Sequence, residues 1–596
     1  MPRWVLSGQG KARGIATAIV LVALGALGVA NAQTQQRRPA AAAPAPPPTQ
    51  AEACYASYGL KPSQKIQICS EAIRSDALKG IPLALAYYNR ATALSADGDQ
   101  PAATSDFREA IRIFTQIIRS SQASAPILFQ RGVIYHTIGD SDQAIVDYSD
   151  AIRVAPTETY AYVNRGIVLY TKKDNNEGAI SDFNAALKLK PCEVTAWVNR
   201  GLVYKRKGDL NQSIADFTDA LKCLGTNLTP VPASAPANPT QQYLTGVQAS
   251  TQAADTYFQR GLVKIDKKIY KDAILDFNDA IRLNPGAAAH FVGRASANML
   301  LEQFQPAIAD FTEAIRLAPG DAYTFLHRGI AYHTVNEPDN AISDYTEAHK
   351  LTPRDVNPLI NRGIVYYSKK GLYDLAIADF TEALDIDRKD VNALINRGIS
   401  YREKGDPDKA IIDFSEALRL GLLTGDVLQF GSKDPDAVRH WAQVAHARYQ
   451  RGNAYVVKKE YDLALADFNE SIRVNPLEAR TFVSRGGIFL YRQELERAIA
   501  DFTEGIRLDP NYAFAYFQRG FAYHALEEPD RATPAFMRDA GRHQTSPVIS
   551  SQVAPSASLA RQAVRATNRT ASAAVPDIVS NRAITAGNSA AGRASW

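Results

Sequence analysis

The chain has 596 residues, of which 46% are hydrophobic and 22% charged. That balance builds a packed core and excludes both a disordered chain and a multi-pass membrane protein. The formal charge is only +5, and Arg3, Lys11 and Arg13 supply part of it, too little for a protein whose main partner is nucleic acid and whose binding draws on many phosphate contacts.

Residues 1–32 read as an export signal. The three basic residues precede the apolar run from Ile15 to Val29, and Ala30-Asn31-Ala32 supplies the small-x-small pattern that signal peptidase prefers, so the mature chain starts at Gln33. The run is shorter than the roughly 20 residues of a membrane span; an uncleaved inner-membrane anchor is the alternative. Residues 33–51 contain "RRPAAAAPAPPPTQ", a semi-rigid spacer because proline at this density favours polyproline II.

The chain then repeats itself with a period of 34 or 35 residues, and an internal period outranks any residue-level reading. Aligned on "QRGVIYH", "NRGIVLY", "HRGIAYH" and similar stretches, the copies carry Gly132, Gly166, Gly201, Gly261, Gly329, Gly363, Gly398, Gly452, Gly486 and Gly520. Ala91 and Ala295 hold the same place in two more. Spacing is longer only from 91 to 132, 201 to 261 and 398 to 452. Later in each copy comes a pattern such as "AIADFTEAIRLAP". Its Ala, aromatic and small residue at i, i+4 and i+7 share one helix face, and the closing Pro ends the helix. Each copy therefore predicts two antiparallel helices, with turns such as Lys404-Gly405-Asp406. Neither helix buries its apolar face alone, so the copies stack.

These residues resemble the tetratricopeptide repeat over roughly residues 84–540. The resemblance implies an all-α fold: a right-handed α-solenoid of about twelve helix hairpins whose concave groove binds other proteins or peptides. The leading "ACYASYGL" and "QICSEAI" followed by "NRG" and "DF" copies resemble exported tetratricopeptide proteins of alphaproteobacteria. The layout is then a signal peptide (1–32), a spacer (33–51), a cap and first repeat block (52–225), an inserted linker (226–252), a second block (253–421), an insertion (422–444), a third block (445–541) and a disordered basic tail (542–596).

The commonest pattern of that family has a large aliphatic residue before the Gly; here it is Arg in every copy. The residue before the second-helix aromatic is Asp in all but the last, where Ala535 beside Pro534 marks a degenerate end. With the Gly numbered 8, Arg is 7 and Asp 23, and residues level across a hairpin that turns near 15 sum to about 30. The arithmetic pairs Arg131 with Asp147, Arg328 with Asp344 and Arg397 with Asp413. A pair that recurs in eleven of the twelve copies reads as a structural tie rather than a ligand site.

The fold the family implies puts positions 2, 5, 9, 12 and 13 of each first helix on the groove. Position 5 is apolar or aromatic throughout, with no Lys, which argues against the family's carboxylate clamp. Asn recurs at position 6, as Asn164, Asn199, Asn361 and Asn396, and position 12 varies, with Lys205, Tyr367 and Arg402. Asn both donates and accepts, so it grips peptide backbone without regard to sequence, and these seven residues are the candidate contacts for an extended peptide. His136, His333 and His524 at position 12 read as solvated groove residues, too far apart for a metal site.

Cys69 fills the aromatic place of an incomplete leading copy, and a Cys54–Cys69 bridge fits an oxidising compartment. A second bridge between Cys192 and Cys223, level across one hairpin, is left open. Both insertions read as surface loops, with two further expectations: the first alternatively lengthens the next helix, and Asp434-Pro435 in the second marks a helix start. The tail carries six Arg against one acid and reads as solvated, with contact to an anionic surface as its functional alternative.

No G-x-G-x-x-G, G-x-x-x-x-G-K-[ST], H-E-x-x-H or G-x-S-x-G pattern is present, and the repeats leave no stretch long enough for a catalytic domain. The expectation is a non-catalytic interaction scaffold in the periplasm, with no catalytic residue, metal or cofactor. Its partners are other proteins or peptides and not nucleic acid; membrane contact runs only through an uncleaved N-terminal segment or the basic tail. The alternatives are a membrane-anchored envelope assembly factor and a substrate-recruiting subunit of an envelope enzyme.

Overall fold

The computed structural model describes residue 54 and residues 61–532, apart from 76–77, 227, 233–240, 426–434 and 529. The export signal, the spacer, the tail and the Pro534–Ala535 pair lie outside the described residues. Every regular element among those described is helical. They form two compact bodies, one ending at Gln303 and the other starting at Phe304, a boundary at neither insertion.

Within each body the helices pair as hairpins that pack on their neighbours in chain order. Thr159–Lys172 and Asn176–Leu189 form the Gly166 repeat, and Val391–Lys404 and Pro407–Gly425 the Gly398 repeat. Some second helices start on capped ends: the side chains of Asp140, Asn175 and Asp209 accept from the amides of Gln143, Gly178 and Gln212, satisfying donors that a helix start leaves free. Gly405, in the turn, has φ 95°, a left-handed conformation that costs glycine nothing.

The small residue at position 8 is a packing requirement. A Cβ on Gly398 would lie 2.7 Å from Cε1 of Phe414, and one on Gly329 2.7 Å from Cε1 of Tyr345. The second-helix aromatic lies against the backbone of the first helix and is wholly buried, as in Phe183, Phe217, Phe277, Phe380, Phe414, Phe468 and Phe502. Tyr148 and Tyr345 fill the same place, and their hydroxyls have no hydrogen-bond partner among the described residues. An unsatisfied buried hydroxyl costs free energy. Tyr148→Phe and Tyr345→Phe are therefore expected to stabilise the protein by about 1 kcal/mol each, read as a rise in the denaturant midpoint. A fall would mean that each hydroxyl has a partner after all.

The three long spacings are accommodated differently. From 91 to 132 the extra residues lengthen the helix Gln100–Ile117, which continues as a π-turn over Ile118–Gln122. After Gly201, residues 228–232 run back so that the Val231 amide donates to the Leu283 carbonyl at 2.7 Å. The following helix, Gln241–Asp266, is lengthened at its start, with Ala253 and Ala254 buried against Leu221 and Leu283. After Gly398, both Pro407–Gly425 and Pro435–Val457 are long, and Leu418, Val444 and Trp441 join their core. Both insertions are thus partly helical, the first by lengthening the next helix and the second from Pro435 onward, because apolar residues in each find a hairpin to cover.

Cys54 is disulfide-bonded to Cys69 on the helix Pro62–Arg74, and Cys192 to Cys223 across the Gly201 hairpin.

Candidate partner-binding face

Each first helix divides its side chains between the stack and solvent, and Arg at position 7 belongs to the stack. In at least ten repeats it forms a bidentate pair with Asp. Nε of Arg131 donates to one carboxylate oxygen of Asp147 at 2.8 Å and Nη2 to the other at 2.6 Å. Arg328–Asp344 and Arg397–Asp413 repeat the geometry at 2.8 Å. The hydrogen bonds to Asp hold the Arg131 and Arg397 guanidinium groups further above their already high range. With the carboxylates almost wholly buried, for example 0% exposed in Asp147, this Arg row does not face a ligand.

The third arm of each fork carries a contact that sequence reasoning missed. Nη1 of Arg131 donates to Thr115, of Arg165 to Ser149, of Arg328 to Thr312, of Arg362 to Thr346, of Arg451 to Ser415 and of Arg519 to Thr503. Each acceptor directly follows the aromatic of the preceding second helix, or its counterpart Phe114 two turns along, so every such Arg ties its own hairpin to the one before. The signal was present in "DFTEA" and "DYSDA", where Ser or Thr follows the aromatic.

The peptide-contact expectation is corrected in the N-terminal body. Asn164 and Asn199 are 0% and 1% exposed, and their amides donate to the carbonyls of Tyr160 and Thr195 one turn back. Position 6 there packs against the neighbouring hairpin and is closed to a peptide. Position 5 is corrected as well: Tyr88, Phe129, Val163, Ile360 and Ile395 are buried in the stack, because an apolar side chain at a hairpin interface gains more by packing than by lining water.

In the C-terminal body the candidates do come together. Asn361 and Asn396 are half-buried, on Val356–Val365 and Val391–Lys404. The Tyr367 hydroxyl donates to Oδ1 of Asn396 at 3.2 Å, and burial pushes that phenol up to about 12. Gln443 donates to Oδ1 of Asn392 at 3.0 Å. Arg402 donates through Nη1 to Gln450 at 2.6 Å and through Nη2 to Glu403 at 2.7 Å, and Gln450 in turn lies 3.2 Å from Nε2 of His446. A strip of amide, phenol and guanidinium groups thus crosses three successive first helices. Gln443, Gln450 and His446 were not foreseen; Gln450 stands at position 6, where Gln serves as Asn does. In the N-terminal body Lys205 reaches Asp266 at 3.6 Å.

The histidines are half-buried rather than solvated. Burial, with Lys369 adding repulsion, holds His333 down at about 4; burial, with Arg480 and Arg402, does the same to His446. An unfolded chain protonates both near 6.5, so between about 6.5 and 4 the unfolded state binds more protons and stability is lost as pH falls. Midpoints of denaturant unfolding are expected to drop across that window, and less in His446→Gln. A flat profile would contradict the burial.

Among the described residues no group of His, Cys, Asp and Glu is arranged to hold a metal ion, and no helix is long and apolar enough to cross a membrane.

The architecture is that of a helical-hairpin repeat protein. A tetratricopeptide repeat model matches residues 125–158, 159–191, 194–222 and 445–476, a second matches 258–322 and 364–421, and a TPR repeat model matches 486–526. The chain carries tetratricopeptide repeats over these segments. No curated protein matches it. Similar solved structures include the hetero-tetramer Cut9–Hcn1 of APC/C, 15% identical over 77% of this chain and 93% of that one, with TM-score 0.36. Another is a tetratricopeptide repeat protein from Parabacteroides merdae, 21% identical over 46% and 99%, with TM-score 0.37. A third is YrrB, described as a TPR protein with an unusual peptide-binding site, 19% identical over 36% and 95%, with TM-score 0.28.

Proposed function

We propose that this chain is a non-catalytic interaction scaffold that binds partner proteins or extended peptides along its first helices, in the cell envelope. The observation that carries the reading is the strip from Asn361 and Tyr367 through Asn396 to Arg402, backed by the buried Gln450. It sets hydrogen-bonding groups one hairpin apart on a partly open face, a surface suited to the backbone of an extended chain. The two disulfides support an oxidising compartment, in line with the export signal read from residues 1–32.

Two measurements test this. Affinity capture from envelope extract should retain a partner on the wild-type chain, and Asn361→Ala/Asn396→Ala should weaken it by about tenfold, equivalent to about 1.4 kcal/mol, at unchanged helical content. Equal retention by both would remove these amides from the binding face. Fractionation with N-terminal sequencing should find a periplasmic protein beginning at Gln33; a membrane-bound chain that keeps residues 15–29 would overturn the soluble form.

A further inference from the structure

The two disulfides differ in access. Cys54 and Cys69 are each 0% exposed and pack with Ala72 and Ala86. Cys192 is exposed and Cys223 half-buried. A disulfide opens when a thiolate reaches one of its sulfurs, so exposed bridges are the labile ones.

The exposed bridge is also not what closes its hairpin. Across the Gly201 hairpin Arg200 donates to both carboxylate oxygens of Asp216 at 2.8 and 2.9 Å, the Ser213 hydroxyl donates to the Gly201 carbonyl at 2.8 Å, and Phe217 is wholly buried. Equivalent Arg–Asp pairs close the Gly166 and Gly398 hairpins, which hold no Cys.

What the bridge adds lies where the chain leaves that hairpin. Cys223 stands in the last turn of Leu210–Leu224, and Cys192 ties it to the turn before Val194–Lys207. Leu221 and Leu224 of the tied helix, with Leu228 just after it, pack against Ala253, Ala254 and Leu283. These belong to the Gly261 hairpin, Gln241–Asp266 and Tyr270–Leu283, whose Leu283 carbonyl also accepts from the Val231 amide. A helix end is the part that frays first. The bridge therefore holds the end on which the run 228–232 depends.

We infer that Cys192–Cys223 is a thiol-exchange site, opened by a protein dithiol while Cys54–Cys69 stays closed, and that opening it frees residues 228–232 from the Gly261 hairpin. A thiolate of the reductant attacks Sγ of the exposed Cys192. The S–S bond breaks with its electron pair on Sγ of Cys223, which takes a proton. The second thiol of the reductant, as its thiolate, attacks the mixed disulfide and closes the reductant's own bridge. Cys192 leaves as a thiolate and takes a proton, so two electrons and two protons pass in all. The inference does not depend on the peptide-binding reading.

Graded dithiothreitol on the native full chain, followed by alkylation and peptide mass spectrometry, tests the selectivity. Cys192 and Cys223 should be labelled about tenfold faster than Cys54 and Cys69. Equal rates, or faster opening of Cys54–Cys69, would overturn the inference. A dithiol oxidoreductase whose resolving Cys is replaced by Ser should be trapped on Cys192. No trapped species would overturn exchange with a protein, and trapping on Cys223 alone would overturn the order of steps. Hydrogen exchange reads the release. After selective reduction the Gly225 and Val231 amides should exchange faster, with those of Val194–Lys207 unchanged. An unchanged rate at Val231 would overturn the release. Cys192→Ser/Cys223→Ser should keep its helical content and show the same acceleration. A variant that fails to fold would show the bridge to be structural and overturn the inference as well.

Discussion

Asp147→Ala and Asp344→Ala are each expected to destabilise the protein by roughly 3–5 kcal/mol, the usual cost of stranding one member of a buried ion pair. Asp147 is 0% and Asp344 5% exposed on the side chain, and each accepts two hydrogen bonds from a guanidinium that is itself mostly shielded. Removing the carboxylate leaves the Arg328 guanidinium over the rings of Phe325 and Tyr332 with its hydrogen bond to Thr312 and no anion. Asp339→Ala is the contrast: this carboxylate is 83% exposed and paired with Lys370, so its loss should stay within about 1 kcal/mol. Replacing both partners, as in Arg328→Met/Asp344→Leu, should cost much less than Asp344→Ala, since an apolar pair strands no charge. Denaturant midpoints for the four variants decide the matter. Similar small shifts in Asp344→Ala and Asp339→Ala would remove the buried pair from the account of stability.

Phe414→Ala should cost a comparable amount, roughly 3–5 kcal/mol. The ring is fully buried, rests on the backbone at Gly398 and packs in one cluster with Ala410, Ala417 and Phe380. Truncation leaves a cavity that the surrounding small residues cannot fill, because they were small to admit the ring. The converse change, Gly398→Ala, crowds the same ring and should cost about 1–3 kcal/mol. Since each hairpin contacts chiefly its neighbours, the damage should be local. Hydrogen exchange in Phe414→Ala is expected to accelerate in the Gly398 repeat and the hairpins beside it, with the N-terminal body unchanged. Uniform acceleration over both bodies would show instead that they unfold as one.

Much of the hairpin architecture was legible because each feature of it is a short-range constraint written many times. Ala, aromatic and small residue at i, i+4 and i+7 mark the second helix, and the ring needs a glycine or alanine opposite, so Gly398 and Phe414 declare each other. The candidate face was legible only in part. Asn at position 6 carries the same local pattern whether it faces water, as Asn361 partly does, or a neighbouring hairpin, as Asn164 does, and nothing within one repeat separates the two. Gln443 reached the strip from an insertion, where no repeat register predicted anything.

What the sequence alone determined, then, is the repeating pair of helices and the residues that hold the two together. Tertiary structure decided which side chains the stack consumes. The third arm of each Arg was assigned to the preceding hairpin, Asn199 went inside, and His446 was shut away from protons. Those outcomes depend on contacts between residues far apart in the chain, and a periodic pattern sets the spacing within a repeat without stating what the next repeat will cover.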